Sequence, residues 1–373
     1  MKRTHVLHIV GAMNRGGVES WLMEVLRHID RERFQVDFLV HSEAPGAFDN
    51  EVRELGSNIY RCPLPGNPFA YLRNFMRILR SNGPFDVVHS HVHYFSGITL
   101  LLARAGRVPT RISHSHSAPT SDDSVMRRAY TRIMSALVYQ NATLKLAGSE
   151  ESARSLYGRD WKTRSDTEIF YTAIDFSRFF GQRNVHLARE DFHIPTKDLV
   201  IGHVGRFSTP KNHSFLLDVF SELKQISENA CLLLVGDGVL RPEIEQKAAG
   251  LGILESIRMI GIRQDVPEIL MDVIDVVCFP SLYEGLPIAI LEAQAANVPC
   301  IISDRITREV ILTPKRVSAL PLEVSAAVWA RAIHLAYENR VDVDDIQLLS
   351  SSMFSIQHSI PKLEAKYDKR CSR

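Results

Sequence analysis

Short apolar, β-branched runs alternate with stretches of helical periodicity along most of this chain. The runs Val6–Val10, Gln35–Val40, Asn58–Arg61, Asp86–Ser90, Arg111–His114 and Thr143–Ala147 are largely apolar on both faces, the pattern of strands buried on both sides of a parallel sheet. The rhythm starts again at Leu199–Val204, Cys231–Val235, Arg258–Ile260, Asp275–Phe279 and Pro299–Ser303, with amphipathic helices expected at about Asn212–Ile226, Arg241–Gly250 and Pro287–Ala296. Strand, helix, strand in that order predicts an α/β protein: two Rossmann-like, doubly wound domains facing a central cleft. The expected division is residues 1-175, residues 176-354, and a last helix over 355-373 that packs back on the first domain. No internal repeat links the halves, so their likeness is architectural. Ligands of open α/β sheets bind beyond the carboxyl ends of the strands, which directs attention to the turns found there.

The most informative of those turns is Ser281-Leu-Tyr-Glu284-Gly285-Leu286-Pro287-Ile288-Ala-Ile-Leu-Glu292. Pro287 suits the first turn of a helix, where a missing N–H costs nothing. The amides of Leu286, Ile288 and Ala289 then face outward at the positive end of the helix dipole, and Gly285 lets a ligand approach the backbone. Glu284 flanks this anion site, and Glu292 points back over it with acceptors for vicinal hydroxyls. An anion between two polyols describes a nucleoside diphosphate sugar better than a free phosphate ester.

Other strand ends add to this. Gly205-Arg206-Phe-Ser-Thr-Pro-Lys211-Asn212 puts two cations after a strand and before a helix capped by Asn212, and two cations suit a diphosphate. Gly11-Ala-Met-Asn-Arg-Gly16-Gly17 follows the first strand and suits backbone contact with a phosphate or sugar. A tight turn that needs glycine only for steric reasons reads the same way. His89, His91 and His93 end one strand and His114 and His116 the next. Alternation turns several of them to one side, which is compatible with cleft polar groups, structural imidazoles or a zinc site, although no ligand motif of known spacing is present.

Composition narrows the classes. With 373 residues, 45% apolar and 23% charged, the chain can bury two ordinary cores, and a net charge of +1 gives no reason to expect nucleic acid. Cys231, Cys278 and Cys300 lie in apolar runs and read as buried thiols of a cytoplasmic protein. The start is too soon interrupted by Gly11 for a signal peptide, and no apolar run reaches spanning length.

Taken together, Gly16-Gly17-x-Glu19, Val204-Gly-Arg206 with Lys211, Val235-Gly-Asp-Gly238, Gly261-Ile-Arg-x-Asp-Val266, and Glu284 seven residues before Glu292 resemble the retaining, nucleotide-sugar-dependent glycosyltransferases of family four. These have the GT-B fold and include many bacterial polysaccharide synthases. The resemblance covers most of the chain. It implies that Arg206 and Lys211 hold the donor diphosphate, Glu284 the sugar hydroxyls and Glu292 the ribose. Gly16, Gly17, Gly285, Leu286, Pro287 and Ile288 would line the donor, and the base would rest near Ile262. It implies His116 as the histidine that reaches the donor sugar, with His114 the alternative because His-Ser is doubled. Catalysis would fall to His116, Arg206, Lys211 and Glu284, with no divalent metal and no cofactor. Retention is thought to proceed by front-face attack. One departure is Tyr171-Thr-Ala-Ile-Asp175, where the family commonly has Asn-Gly-Ile-Asp.

The sequence carries less about the acceptor. Two stretches, Tyr71–Arg80 and Ser124–Tyr139, mix arginines with large apolar side chains. They suit either packed amphipathic helices or contact with an anionic membrane at the inner face of the cell, where a glycan or lipid-linked acceptor would be presented. The donor expected is a UDP-sugar. A nucleotide-sugar epimerase and a noncatalytic nucleotide-sugar-binding subunit are the alternatives. The first would need no acceptor, and the second would be expected to lose a glutamate or a cation that this chain keeps.

Overall fold

The computed structural model describes residues 2–64, 68–116, 124–180, 186–340 and 345–368. The chain divides into two compact units, Met1–Ile174 with Met353–Arg373, and Asp175–Ser352. In the first unit, chain order runs β1 (Thr4–Val10), α1 (Gly17–His28), β2 (Phe34–Val40), α2 (Asp49–Glu54), β3 (Ile59–Arg61), α3 (Pro68–Asn82), β4 (Val87–Ser90), α4 (Ser96–Ala105), β5 (Thr110–Ser115), α5 (Val125–Asn141), β6 (Leu144–Ala147), α6 (Glu150–Tyr157) and β7 (Thr167–Ile169). All seven strands are parallel, in the order β3-β2-β1-β4-β5-β6-β7.

Strand alternation decides what each face of this sheet buries. Val6 and Val10 of β1 join Trp21, Phe34 and Phe38 on one side, while Leu7 and Ile9 join Phe75, Leu100 and Val88 on the other. His8 is fully buried on β1 between Val6 and Val10 and stacks on Phe38.

The second unit continues with β8 (Leu199–Val204), α7 (His213–Ile226), β9 (Ala230–Val235), α8 (Arg241–Gly250), β10 (Ile257–Gly261), α9 (Val266–Asp272), β11 (Val276–Phe279), α10 (Ile288–Ala295), β12 (Cys300–Ser303), β13 (Val317–Leu320), α11 (Ala326–Glu338) and α12 (Ile346–Ser350). Its sheet is parallel, ordered β10-β9-β8-β11-β12-β13. Trp329 of α11 fills its core, edge-on to Phe215 at 5.7 Å with its indole N–H on the Pro321 carbonyl. The last helix, α13 (Ile356–Asp368), belongs to the first unit, where Ile356, Ile360, Leu363 and Tyr367 complete the core beside α1.

The strands expected from the apolar runs are all present, within one or two residues at their ends. β7 and β13 are additional edge strands, short or half exposed, and carry no apolar run to announce them. Cys62, Cys231, Cys278 and Cys300 are buried thiols, and burial pushes Cys231 up to about 11 and Cys300 to about 12. Cys371 lies outside the described residues. No described helix is long and apolar enough to cross a membrane.

In the second unit three strand ends meet backbone to backbone. Gly236 has φ +138°, its N–H donates to the Gly261 carbonyl at 2.8 Å, and a Cβ there would stand 2.1 Å from the Gly205 carbonyl oxygen. Gly236→Ala therefore has neither the backbone conformation nor the room it needs, and is expected to cost about 2–4 kcal/mol. Gly250→Ala, at the end of α8 with nothing within 4 Å, is expected to be neutral or slightly stabilising. Urea unfolding of both variants checks the contrast, and equal midpoints would remove the steric argument.

Candidate active site

In the second unit the strand order reverses between β8 and β11: β9 and β10 lie on one side of β8, and β11, β12 and β13 on the other. The loops leaving β8 and β11 therefore start at the point where the winding changes direction, the position where open α/β sheets hold ligands. These are the two loops that carry Lys211 and Glu284. They are tied together by the Leu282 amide donating to the Pro210 carbonyl at 2.8 Å and by Asn212 Nδ2 donating to the Pro280 carbonyl at 3.0 Å.

Between those ties, Lys211 Nζ lies 2.7 Å from Glu284 Oε1, with side chains only 17% and 12% exposed. Ser281 Oγ donates to the same oxygen at 2.8 Å, and Lys211 Nζ lies 5.6 Å from the Phe279 ring centre. The lysine's stem runs close over Gly205, where a Cβ would stand 2.9 Å from Lys211 Cε. Ser281 is itself buried, its carbonyl accepting from Ser303 Oγ at 2.6 Å. Arg206 stands exposed on the same loop, and its guanidinium makes no ion pair among the described residues.

The helix start after Glu284 differs in detail from its expected form. Pro287 is the residue before α10, with φ −77° and ψ 95°, and its carbonyl accepts from Ile290 N. The proline closes the loop, and Ile288 opens the helix. The amides of Leu286, Ile288 and Ala289 have no acceptor among the described residues, so three donors remain at the positive end of the helix beside a lysine. Glu292 is half-buried on α10, one turn beyond Ile288. Asn212 does precede α7, but in a left-handed conformation with its side chain spent on Pro280, so it is no side-chain cap. Ile262 is exposed after β10, whose last residue Gly261 has φ +73°.

In the first unit the reversal falls between β1 and β4. Gly16 precedes α1, Gly17 begins it, and the Glu19 carboxylate lies over Gly16, where a Cβ would meet its Oε2 at 2.4 Å. Alternation sets His8 of β1 directly opposite His89 of β4. With His91, His114 and His116 these imidazoles form one cluster against Trp21. His8 Nδ1 and His91 Nε2 are 2.9 Å apart, as are His91 Nδ1 and His116 Nε2. Tyr367 Oη of α13 is 3.3 Å from His8 Nε2 and 2.9 Å from His89 Nδ1. His114 Nε2 donates to the Phe170 carbonyl at 3.1 Å.

Burial keeps these rings neutral: His8 and His116 are lowered to about 3, and His89, His91 and His114 well below their ordinary value, with neighbouring imidazoles adding to the effect in all but His8. Two trios, His8–His89–His91 and His91–His114–His116, bring one nitrogen each within 4.8 Å of one another, and neither contains a carboxylate. Sequence reasoning missed Ser281, His8 and Tyr367. His8 was detectable as the polar break in the apolar run of β1, whereas nothing local marks Tyr367 as its partner.

The chain matches the family described as Glycosyl transferases group 1 over residues 185–346, and the Glycosyl transferase 4-like domain over residues 16–164. EpsF of Bacillus subtilis (strain 168), named as a glycosyltransferase, is 37% identical over 334 residues, 88% of this chain and 86% of that protein. CapH of Staphylococcus aureus, a capsular polysaccharide biosynthesis glycosyltransferase, is 26% identical over 97% of this chain and 98% of its own. The crystal structure of HepE from Anabaena in complex with UDP and glucose superposes with a TM-score of 0.80 at 17% identity, covering 97% of this chain and 99% of that one.

The buried histidines make stability depend on acid. His8, His41, His89, His91, His114 and His116 of the first unit all have lowered folded values, His41 to about 4. Below about pH 6.5 the unfolded chain takes up protons that the folded chain refuses. Stability is then full above that pH and falls as pH drops toward the folded values, by about 1 kcal/mol per histidine over the first unit of pH. The first unit is expected to lose several kcal/mol between pH 6.5 and 5.5. Hydrogen exchange by mass spectrometry at the two pH values, corrected for intrinsic rates, checks this. Unchanged protection around β1, β4 and β5 would contradict it.

Proposed function

The chain belongs to the group 1 glycosyl transferases and has their two-domain α/β fold, and on that premise we propose that it moves a sugar from a nucleotide-sugar donor, specifically a UDP-sugar, to a glycan or lipid-linked acceptor in cell-surface polysaccharide synthesis, with retention of anomeric configuration. The observation that carries this reading is the pairing of Lys211 with Glu284 at the β8/β11 reversal, beside three amides without acceptors among the described residues. A diphosphate entering there offers Lys211 a doubly charged partner and releases Glu284 to accept hydrogen bonds from sugar hydroxyls. Arg206, already exposed, closes on the same anion, and Glu292 takes the ribose. HepE, solved with UDP and glucose, and CapH, named for capsular polysaccharide, support donor and pathway class respectively.

In the proposed reaction the bond from the anomeric carbon to the diphosphate oxygen breaks and a bond to the acceptor oxygen forms on the same face. The acceptor's proton passes to the departing phosphate. The difficulty lies in the charge left on the diphosphate, which Lys211, Arg206 and the amides of Leu286, Ile288 and Ala289 stabilise without a divalent metal. His116 is assigned to a donor sugar hydroxyl.

The acceptor reading draws on α5. Val125 and Met126 are 78% and 86% exposed, Ile133 is exposed too, and Arg127, Arg128 and Arg132 stand among them in a helix with no acidic residue. An apolar edge set in arginines suits an anionic membrane carrying a lipid-linked saccharide.

A panel of nucleotide sugars with membrane extract as acceptor, run with and without EDTA, tests the whole reading. Transfer from one donor that survives EDTA is expected, and release of an epimer without an acceptor would replace it with the epimerase alternative. Lys211→Ala and Arg206→Ala are each expected to lower kcat by about two to three orders of magnitude, and near wild-type turnover in either would remove that cation from the leaving group. Glu284→Gln removes the charge that holds Lys211, so calorimetry should show weaker discrimination between UDP-sugar and UDP with UDP affinity kept or raised. Glu292→Gln should weaken both ligands by about 1.5–3 kcal/mol, and equal losses in both variants would make the glutamates structural.

A further inference from the structure

The imidazoles behind His116 are linked in series. Running inward from His116, contacts of 2.9 Å lead to His91 and to His8, one of 3.3 Å to the Tyr367 hydroxyl, and one of 2.9 Å to His89. Only the two ends are open: His116 Nδ1 and His89 Nε2 are buried atoms without a partner among the described residues. Each neutral imidazole carries one proton and one lone pair, and the tyrosine carries one proton, so a single choice of direction sets every hydrogen in the series.

The two directions are not equivalent. In the inward one, His116 Nε2–H donates to His91, His91 to His8, His8 to the Tyr367 oxygen, and Tyr367 to His89, which leaves an N–H on His89 Nε2. That residue is fully buried, and an orphaned buried N–H is a rare arrangement. In the outward one, His89 Nδ1–H donates to the Tyr367 oxygen, Tyr367 donates to His8 Nε2, His8 Nδ1–H to His91 Nε2, and His91 Nδ1–H to His116 Nε2. All four bonds are kept, the inner end carries a bare lone pair, and the spare N–H appears on His116 Nδ1, an atom also buried in this structure but on a residue that is partly exposed at the strand end, whereas His89 is wholly enclosed. Gly148 stands beside that nitrogen, and a Cβ there would come within 3.6 Å of His116 Nδ1.

We propose that Tyr367, His89, His8 and His91 form one polarised hydrogen-bond chain that holds His116 as its Nδ1–H tautomer, so that His116 presents a hydrogen-bond donor, and no base, to an oxygen of its ligand. Tyr367 is a positioning residue at the turning point of the chain, since its hydroxyl is the one member that both accepts from His89 and donates to His8. His114 stands outside the series and takes the opposite tautomer, because the Phe170 carbonyl demands a proton on Nε2. The last clause, that a ligand oxygen lies at His116, rests on the proposed function. The direction of the chain does not.

The test reads tautomers directly in the full chain, labelled with ¹⁵N-histidine, at about pH 8 and after EDTA treatment, by two-bond ¹H–¹⁵N correlation spectra assigned with single histidine variants. His8, His89, His91 and His116 are expected as Nδ1–H and His114 as Nε2–H, although the free imidazole of histidine favours Nε2–H. His116 as Nε2–H in the wild type would overturn the proposal. In Tyr367→Phe the ring still fills the core but the hydroxyl is gone, and the signals of His91 and His116 should move toward an average of the two tautomers while His114 stays put. Unmoved His91 and His116 signals would show that Tyr367 does not set the direction, and would also overturn it. Titration with UDP and with UDP-glucose separates the two readings. A shift at His116 Nδ1 with UDP-glucose alone supports both, whereas the expected tautomers with no shift keep the chain and remove His116 from the donor sugar.

Discussion

Each sheet has a single point where the strand order reverses, and the chemistry of this chain collects at those two points. Crossovers between parallel strands are right-handed, so a chain that winds first one way and then the other from a central strand must place its helices on opposite faces. The loops leaving the central pair then lead to opposite faces, and the strand ends between them are where such sheets hold ligands. In the second unit this pair is β8 and β11, whose loops bring Lys211 to Glu284. In the first it is β1 and β4, which set His8 against His89 and His91. Polar side chains at these positions stand at the edge of an apolar core and must find partners there.

That demand is met in two different ways. Lys211 and Glu284 are mostly buried but keep an open edge, and the attraction of a pair so placed does little more than offset its loss of solvation. Such a pair can exchange partners at little cost when a stronger anion arrives. The imidazoles lie deeper, where a charge would be expensive, and are kept neutral by burial. They satisfy one another through shared protons. One reversal is thus built for exchange of charge, the other for directed hydrogen bonds.

The sequence carried the fold further than it carried the site. Parallel strands buried on both faces leave a continuous apolar run, and β1, β4, β8 and β11 were legible for that reason. β13 was not, since half of its four residues are exposed. The helix start after Glu284 was visible because Gly285 and Pro287 punctuate it, although the proline sits one residue earlier than a proline of the first turn would. What no local pattern contains is strand order. Lys211 and Glu284 are far apart in sequence and meet because β8 and β11 are neighbours, and Tyr367 reaches His8 because α13 returns to the first unit.

The departure at Tyr171–Asp175 follows the same logic. Where the resembling family commonly has glycine, this chain has Ala173, which is fully buried in the core of the first unit with Phe170 and Ile360. The backbone just beyond it is held by Ile174 N on the Phe354 carbonyl at 2.8 Å and by Ile356 N on the Ile174 carbonyl at 2.9 Å. Asp175 Oδ1 then accepts from Ser177 N and Oγ and starts a short helical turn at Phe176. A side chain packed in the core and two ladder bonds hold this stretch extended, a conformation that needs no glycine. The substitution is accommodated by packing within the first unit, and none of the residues that gather at the β8/β11 reversal takes part in it.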